Sequence, residues 1–172
     1  MLHRCPSALL ATLAAALLAA LSSNEAAALE PDAAVRVDPS FGPRVAEAVA
    51  DAARRLDAQP CSLVLSDFRD AQTGLTLAEN LATTGRSASE HVRSLWFRGA
   101  PGIRPFLGRR VFAFTAPASS AVFLCREDLL RIQNQPRMLT AIVLHEVLHT
   151  LGLRNDHPSS VSITEQVLER CF

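Results

Sequence analysis

The sequence contains no lysine and no tyrosine, and its charges cancel. Arginine supplies all 17 of the Lys-plus-Arg cations, which balance 17 acidic residues. Without a net charge, the chain has no general electrostatic attraction for nucleic acid or for anionic lipid. We therefore expect neither as a partner. Arginine without lysine, together with abundant alanine, is typical of GC-rich genomes and indicates a bacterial source.

Long apolar runs are absent after the N-terminus. Near it, Arg4 precedes an apolar run over residues 8–21, and three alanines follow at residues 26–28. This layout is typical of a secretory signal peptide, and the run is short for a membrane span of about 20 residues. We predict a signal peptide over residues 1–28 and a secreted or periplasmic mature chain of residues 29–172. An uncleaved N-terminal anchor is the alternative.

Closely spaced cysteines are also lacking. Cys5 would leave with the signal peptide, so the mature chain keeps Cys61, Cys125 and Cys171. Export makes a disulfide plausible, and an odd number leaves one thiol over. The sequence does not select among the three possible pairs. The wide spacing argues against a metal site built from cysteines.

Apolar residues recur at helical spacing in several segments. Residues 43–57 begin with proline and carry one apolar stripe. Ser87 with Glu90, and Ser162 with Glu165, have the spacing of capping boxes that open helices. Helices are predicted over residues 43–57, 77–82, 87–97, 127–132, 136–151 and 162–170.

Strand patterns are fewer and shorter. Residues 61–67 alternate between apolar and polar side chains, while residues 110–115 and 121–125 are rich in aromatic and β-branched residues. The break APASS between the last two segments predicts a hairpin. Helices and strands alternate irregularly, which favours a small single α+β domain with a short mixed sheet.

Three polar residues lie in the predicted helix 136–151, which is otherwise apolar on nearly all sides. His145 and His149 are one turn apart on the same face, and Glu146 follows the first histidine. This H-E-x-x-H spacing is typical of zinc sites in which the glutamate is the general base. Zinc lowers the pKa of its water to about 7, so the activated water can attack a carbonyl. An edge helix with an incidental polar stripe is the alternative.

The motif and the glycine after it resemble the metzincin metalloproteases, whose pattern is H-E-x-x-H-x-x-G-x-x-H, or with aspartate last as in snapalysin-like bacterial enzymes. His145, Glu146, His149 and Gly152 match this pattern, while Asn155 stands at the final position. The family's methionine turn after the motif is absent. The resemblance implies a zincin-like catalytic domain over residues 29–172, with the motif on a central helix and a further helix at the C-terminus.

The third zinc ligand has several candidates. Asp156 and His157 directly follow the expected position, and a loop longer by one or two residues would bring either to the metal. Glu165 or Glu169 would serve if the third ligand came from a later helix, as in thermolysin-like enzymes. The resemblance also implies that RVFAFT or AVFLC supplies an edge strand that pairs with an extended peptide.

These patterns favour a secreted, zinc-dependent metallopeptidase that binds one Zn²⁺ ion and uses a metal-activated water. Its partner would be a protein or peptide substrate, and we expect a monomer. A secreted zinc-binding domain without turnover is the alternative, and a metal-free structural domain is the third. We expect His91 to be a surface or partly buried histidine, and Asp67 and Asp70 to mark a turn rather than a calcium site.

Overall fold

A four-stranded sheet and seven α-helices make up the part of the chain that the computed structural model describes, residues 34–100, 111–154 and 158–172. The predicted signal peptide lies outside these residues. Residues 34–172 form one compact unit. In chain order the elements are β1 (Arg36–Val37), α1 (Pro43–Asp57), α2 (Val64–Asp67), α3 (Leu77–Thr83), α4 (Ala88–Ser94), β2 (Trp96–Gly99), β3 (Ala113–Phe114), β4 (Ala121–Leu124), α5 (Arg126–Ile132), α6 (Pro136–Thr150) and α7 (Ser160–Cys171).

The sheet is mixed and has the order β1-β2-β4-β3. The first three strands in this order run parallel, and β3 pairs with β4 in the antiparallel direction at one edge. Alternating side chains divide the sheet into two faces, because successive residues of a strand point to opposite sides. Phe97 and Val122 are buried on one face, whereas Trp96 is exposed on the other. The predicted α+β class, its short mixed sheet and the hairpin are confirmed.

The core is built around α6, which is buried without interruption from Leu139 to Thr150. α1 packs against α6 and α4, and α7 packs against α6 from the C-terminal end of the chain. The apolar stripe predicted for α1 is buried as expected. Because every side of α6 meets protein, each polar residue on it needs a partner inside the fold.

Two element predictions were wrong. Residues 61–67 form a 3₁₀ turn followed by α2, not a strand. Cys61, Val64, Leu65 and Phe68 are the buried residues there, at a spacing of three to four that suits a helical turn. The helix predicted to reach residue 97 ends at Ser94, because the following residues pair with β4 as strand β2.

The last helix also begins earlier than predicted. Its N-cap is Ser159, whose hydroxyl accepts a hydrogen bond from the backbone N–H of Ser162. The predicted capping box of Ser162 with Glu165 therefore lies inside the helix and was wrong. The box of Ser87 with Glu90 is confirmed at the start of α4.

One disulfide bond joins the segment after α1 to the last helix. Cys61 pairs with Cys171, and Cys125 remains a free thiol. This bond ties the C-terminus of α7 to the turn that follows α1. Across residues 34–100, 111–154 and 158–172, no helix is long and apolar enough to cross a membrane.

Candidate metal centre

α6 brings the two motif histidines together in the interior. The Nε2 atoms of His145 and His149 lie 3.0 Å apart, and the rings are 6% and 3% exposed. One helical turn separates the two residues, so both side chains leave the helix on the same face. The group that Nδ1 of each ring contacts determines which of the two ring nitrogens carries the proton.

The Nδ1 atom of His149 lies 2.8 Å from the backbone carbonyl oxygen of Leu153. A carbonyl only accepts, so Nδ1 carries the proton and donates it. The chain reverses sharply here to bring this carbonyl back. Gly152 has φ +109°, and the Leu153 N–H bonds the carbonyl of Leu148. Gly152 follows the end of α6 in a backbone conformation that other residues rarely adopt.

The Nδ1 atom of His145 lies 2.9 Å from the hydroxyl oxygen of Thr164 on α7. Thr164 donates its own proton to the backbone carbonyl of Ser160, 3.1 Å away. A threonine hydroxyl has one proton, so when Thr164 donates it to Ser160 the His145 ring is the donor in the contact with Thr164. In this arrangement both rings carry their proton on Nδ1, and each Nε2 offers a lone pair.

Two unprotonated nitrogens that face each other cannot hydrogen-bond to each other. A tetrahedral zinc ion lies about 2.0–2.1 Å from each of its ligands, so two of the ligand atoms would be about 3.3 Å apart. The observed distance between Nε2 of His145 and Nε2 of His149 is close to this value. Burial, and then the neighbouring His149, lowers the pKa of His145 to about 3, so its ring stays neutral. A neutral ring is the form that binds a metal.

Glu146 is the third polar residue of the motif and is buried at 6% exposure. Its Oε2 atom has no hydrogen-bond partner among the residues described. Burial raises the pKa of this carboxyl to about 8. A bound cation would reverse that effect, since a nearby positive charge favours the ionised form. Glu146 thus has the unsatisfied acceptor expected of a base beside a metal.

An open cleft of about 250 Å³ gives access to these residues. Residues 111–115, which include edge strand β3, form one wall, and Ser160 and Thr164 of α7 belong to its lining. Ile142, His145 and Glu146 of α6 also line it. RVFAFT is thus the segment that contains the edge strand, while AVFLC contributes the inner strand β4.

The third ligand is not found within the described ranges. Asp156 and His157 lie outside them, and inside them no three His, Cys, Asp or Glu side chains form a group that could hold a metal. Glu165 and Glu169 are exposed on α7, whose contact with the histidine pair is made by Thr164.

Two contributors to the site escape sequence reasoning, Thr164 and the carbonyl of Leu153. Thr164 belongs to no motif, and its contact with His145 spans 19 positions of sequence. The Leu153 carbonyl could have been expected from the turn at Gly152, but a backbone group leaves no sequence signal of its own. His91 was expected at the surface or partly buried, and that prediction was wrong: the residue is buried and bonded to Thr150.

Asp67 and Asp70 were both expected in a turn, but Asp67 is the last residue of α2, so the prediction was wrong for Asp67. Asp67 forms an ion pair with Arg170, with 2.9 Å between Oδ2 and Nε. Asp70 accepts hydrogen bonds from the backbone of Gln72 and the hydroxyl of Thr73. These contacts agree with a turn at Asp70.

Replacing Thr164 by valine is expected to weaken zinc binding about 10- to 100-fold, because the His145 ring loses the acceptor that fixes its tautomer and orientation. Thr164→Ser keeps the hydroxyl and should stay close to the wild type. Competition with a chromophoric chelator measures the affinity. Equal affinities for the valine and serine variants would contradict the assigned role.

The arrangement unites a buried pair of imidazole nitrogens, an unsatisfied carboxylate and a cleft beside an edge strand. These groups could hold one divalent cation with a base next to it, in a cleft that an extended peptide could enter. Comparison with models of protein families, with curated proteins and with solved structures finds no significant match for this chain.

Proposed function

We propose that this protein is a zinc-dependent peptidase in which His145 and His149 hold one zinc ion and Glu146 is the general base. The observation that carries the proposal is the pair of Nε2 atoms 3.0 Å apart in a buried site, a spacing that suits two ligands of one metal ion. Two lone pairs at this distance repel each other, and a cation bound by both nitrogens would remove that repulsion.

We assign the third ligand to Asp156 or His157. Leu153 is held against the His149 ring, and three or four residues of chain reach at most about 10–14 Å from it. Either side chain can therefore return to the point that both nitrogens face. Carboxylate oxygen and imidazole nitrogen are both ordinary zinc ligands. The exposed positions of Glu165 and Glu169 favour this loop over a ligand from α7.

The metal and the residues of the chain would have separate roles in the reaction. Zinc bound at this site would polarise a water molecule and the carbonyl group of a substrate. Glu146 accepts the proton of the attacking water and passes it to the nitrogen of the departing amine. Its burial, and the lack of a partner for Oε2 among the described residues, leave the carboxylate ready to accept that proton.

Substrate binding is assigned to β3, whose far side has no partner strand in the described sheet. An extended peptide can add to such an edge through backbone hydrogen bonds, which are independent of the substrate's side chains. Placed there, a peptide would lie in the cleft that contains His145 and Glu146. The antiparallel edge strand beside the motif helix supports a zincin-like arrangement, and the disulfide is compatible with the secreted location that we propose.

The first experiment measures zinc and peptide cleavage together on the purified protein. We expect about one zinc per chain after dialysis, and cleavage of casein or of a peptide library that 1,10-phenanthroline stops and added zinc restores. Zinc without cleavage would favour a zinc-binding domain without turnover. A protein with neither would overturn the proposal and leave a metal-free structural domain.

A further inference from the structure

The turn that ends α6 is bonded to a side chain from α3. Asn80 of α3 donates a hydrogen bond from Nδ2 to the backbone carbonyl oxygen of Leu151, 2.9 Å away. The last carbonyls of a helix have no partner within it, so a donor from another segment satisfies one of them here. The contact spans 71 positions of sequence and therefore ties the turn to a distant part of the fold.

Asp70 holds the amide group of Asn80 in that position. Nδ2 of Asn80 also donates to Oδ2 of Asp70, 3.2 Å away. The hydrogen bond from the Gln72 backbone is the main cause that lowers the pKa of Asp70, so its carboxylate is ionised and only accepts. Both neighbours of the amide are thus acceptors, and the two protons of its NH₂ group can serve one each. Asn80 therefore links Asp70 to the carbonyl of Leu151.

Asp70 is itself fixed by the turn in which it lies. Its Oδ1 atom accepts from the backbone N–H of Gln72 at 2.8 Å, and Oδ2 accepts from the hydroxyl of Thr73 at 2.9 Å. Its backbone N–H bonds the carbonyl of Leu75, and its own carbonyl accepts from the N–H of Gly74. The residue is 7% exposed. The carboxylate is therefore a fixed support for Asn80.

The same carboxylate packs directly against Gly152. A Cβ atom added at Gly152 would lie 2.9 Å from both Cγ and Oδ2 of Asp70, which is too close for a side chain. A glycine permits this close approach of side chain and backbone. The next residue is Leu153, whose carbonyl accepts the proton of Nδ1 of His149. Asp70 and Asn80 thus contact the two residues that precede the carbonyl bound to the His149 ring.

We propose that Asp70 and Asn80 are positioning residues of the metal site, which hold the turn at residues 151–153 so that the Leu153 carbonyl fixes the tautomer and orientation of His149. The inference rests on the proposed zinc site. Neither residue lines the cleft that contains His145 and Glu146, so both act through the backbone of the turn. Groups that orient a metal-binding histidine also determine how tightly the metal is held.

Replacing Asn80 by alanine is expected to weaken zinc binding about 2- to 10-fold, the effect of one ordinary hydrogen bond. The effect is limited because the turn keeps its own backbone bonds. Competition with a chromophoric chelator measures the affinity. Asn134→Ala, at an exposed position between α5 and α6, is the matched control that should keep the wild-type affinity.

NMR of the histidine ring nitrogens in the metal-free protein gives a second readout, which a purely structural role would not change. In the wild type, His149 should carry its proton on Nδ1, where the Leu153 carbonyl accepts it. In Asn80→Ala a larger share of the rings should carry the proton on Nε2. The backbone N–H of Leu153, which bonds the carbonyl of Leu148, should also exchange faster with solvent.

Asp70→Asn is the second variant, since it keeps the shape of the side chain. An amide has one acceptor oxygen in place of two, so the bond from Asn80 or the bond from Gln72 is lost. We expect a loss of zinc affinity in the same range, and the double variant with Asn80→Ala should lose little more, because both changes remove one support.

Wild-type zinc affinity in both single variants, with His149 still protonated on Nδ1, would overturn the inference and leave the zinc site intact. A lower thermal stability without a change in zinc affinity or in the His149 tautomer would overturn it as well. A wild-type protein that binds no zinc would overturn the proposed function, and this inference with it.

Discussion

Replacing Glu146 by glutamine is expected to abolish peptide cleavage while zinc stays bound. Glutamine keeps the shape of the side chain but cannot accept a proton, so only the proton transfer is removed. General-base catalysis contributes about 10²- to 10⁴-fold to a rate, and we expect kcat/KM to fall by a factor in that range. Zinc content and cleavage rate are measured on the same preparation.

Glu127→Gln is the control for that substitution, since Glu127 is exposed on α5 and lines no part of the cleft. It should retain both zinc and activity. The amide should not destabilise the fold, because Glu146 Oε2 has no donor to lose among the described residues. Full cleavage by Glu146→Gln would exclude this residue as the base, even if the protein proves to be a zinc peptidase.

Replacing His149 by glutamine is expected to lower bound zinc from about one ion per chain to almost none. The substitution removes one of the two nitrogens that α6 supplies, and a catalytic zinc normally needs three protein ligands. Cleavage should be lost with the metal. Metal analysis after dialysis gives the zinc content, and Arg137→Gln, exposed on the first turn of α6, is the control that should keep it.

The same measurement identifies the third ligand. Asp156→Asn and His157→Asn are compared, and one of them should lose zinc while the other keeps it. Glu165→Gln and Glu169→Gln complete the series. Zinc loss in either glutamate variant, with Asp156 and His157 variants intact, would move the third ligand from the loop to α7.

The sequence predicts α6 and its end well, because the information there is local. The helix was expected over residues 136–151 and spans Pro136–Thr150. The glycine after the helix and the one-turn spacing of His145 and His149 are local features of the sequence. That spacing places both side chains on the same face of the helix.

The remaining features depend on contacts between distant segments, and the sequence does not reveal those. Residues 61–67 and 95–99 are short apolar stretches whose state is decided by their neighbours in the fold. The latter become strand β2 because β1 and β4 pair with it on either side. The choice of Cys171 as the partner of Cys61, and the position of Thr164 beside His145, depend on how α7 docks.

The bond between Cys61 and Cys171 closes a covalent ring over 110 positions of sequence. Every residue of the proposed metal site lies inside that ring. A single nick anywhere within it leaves both fragments joined through sulfur, so α7 cannot diffuse away from the histidines. Self-digestion of such an enzyme would therefore pass unseen on a non-reducing gel and would show as two bands only after the cystine is reduced.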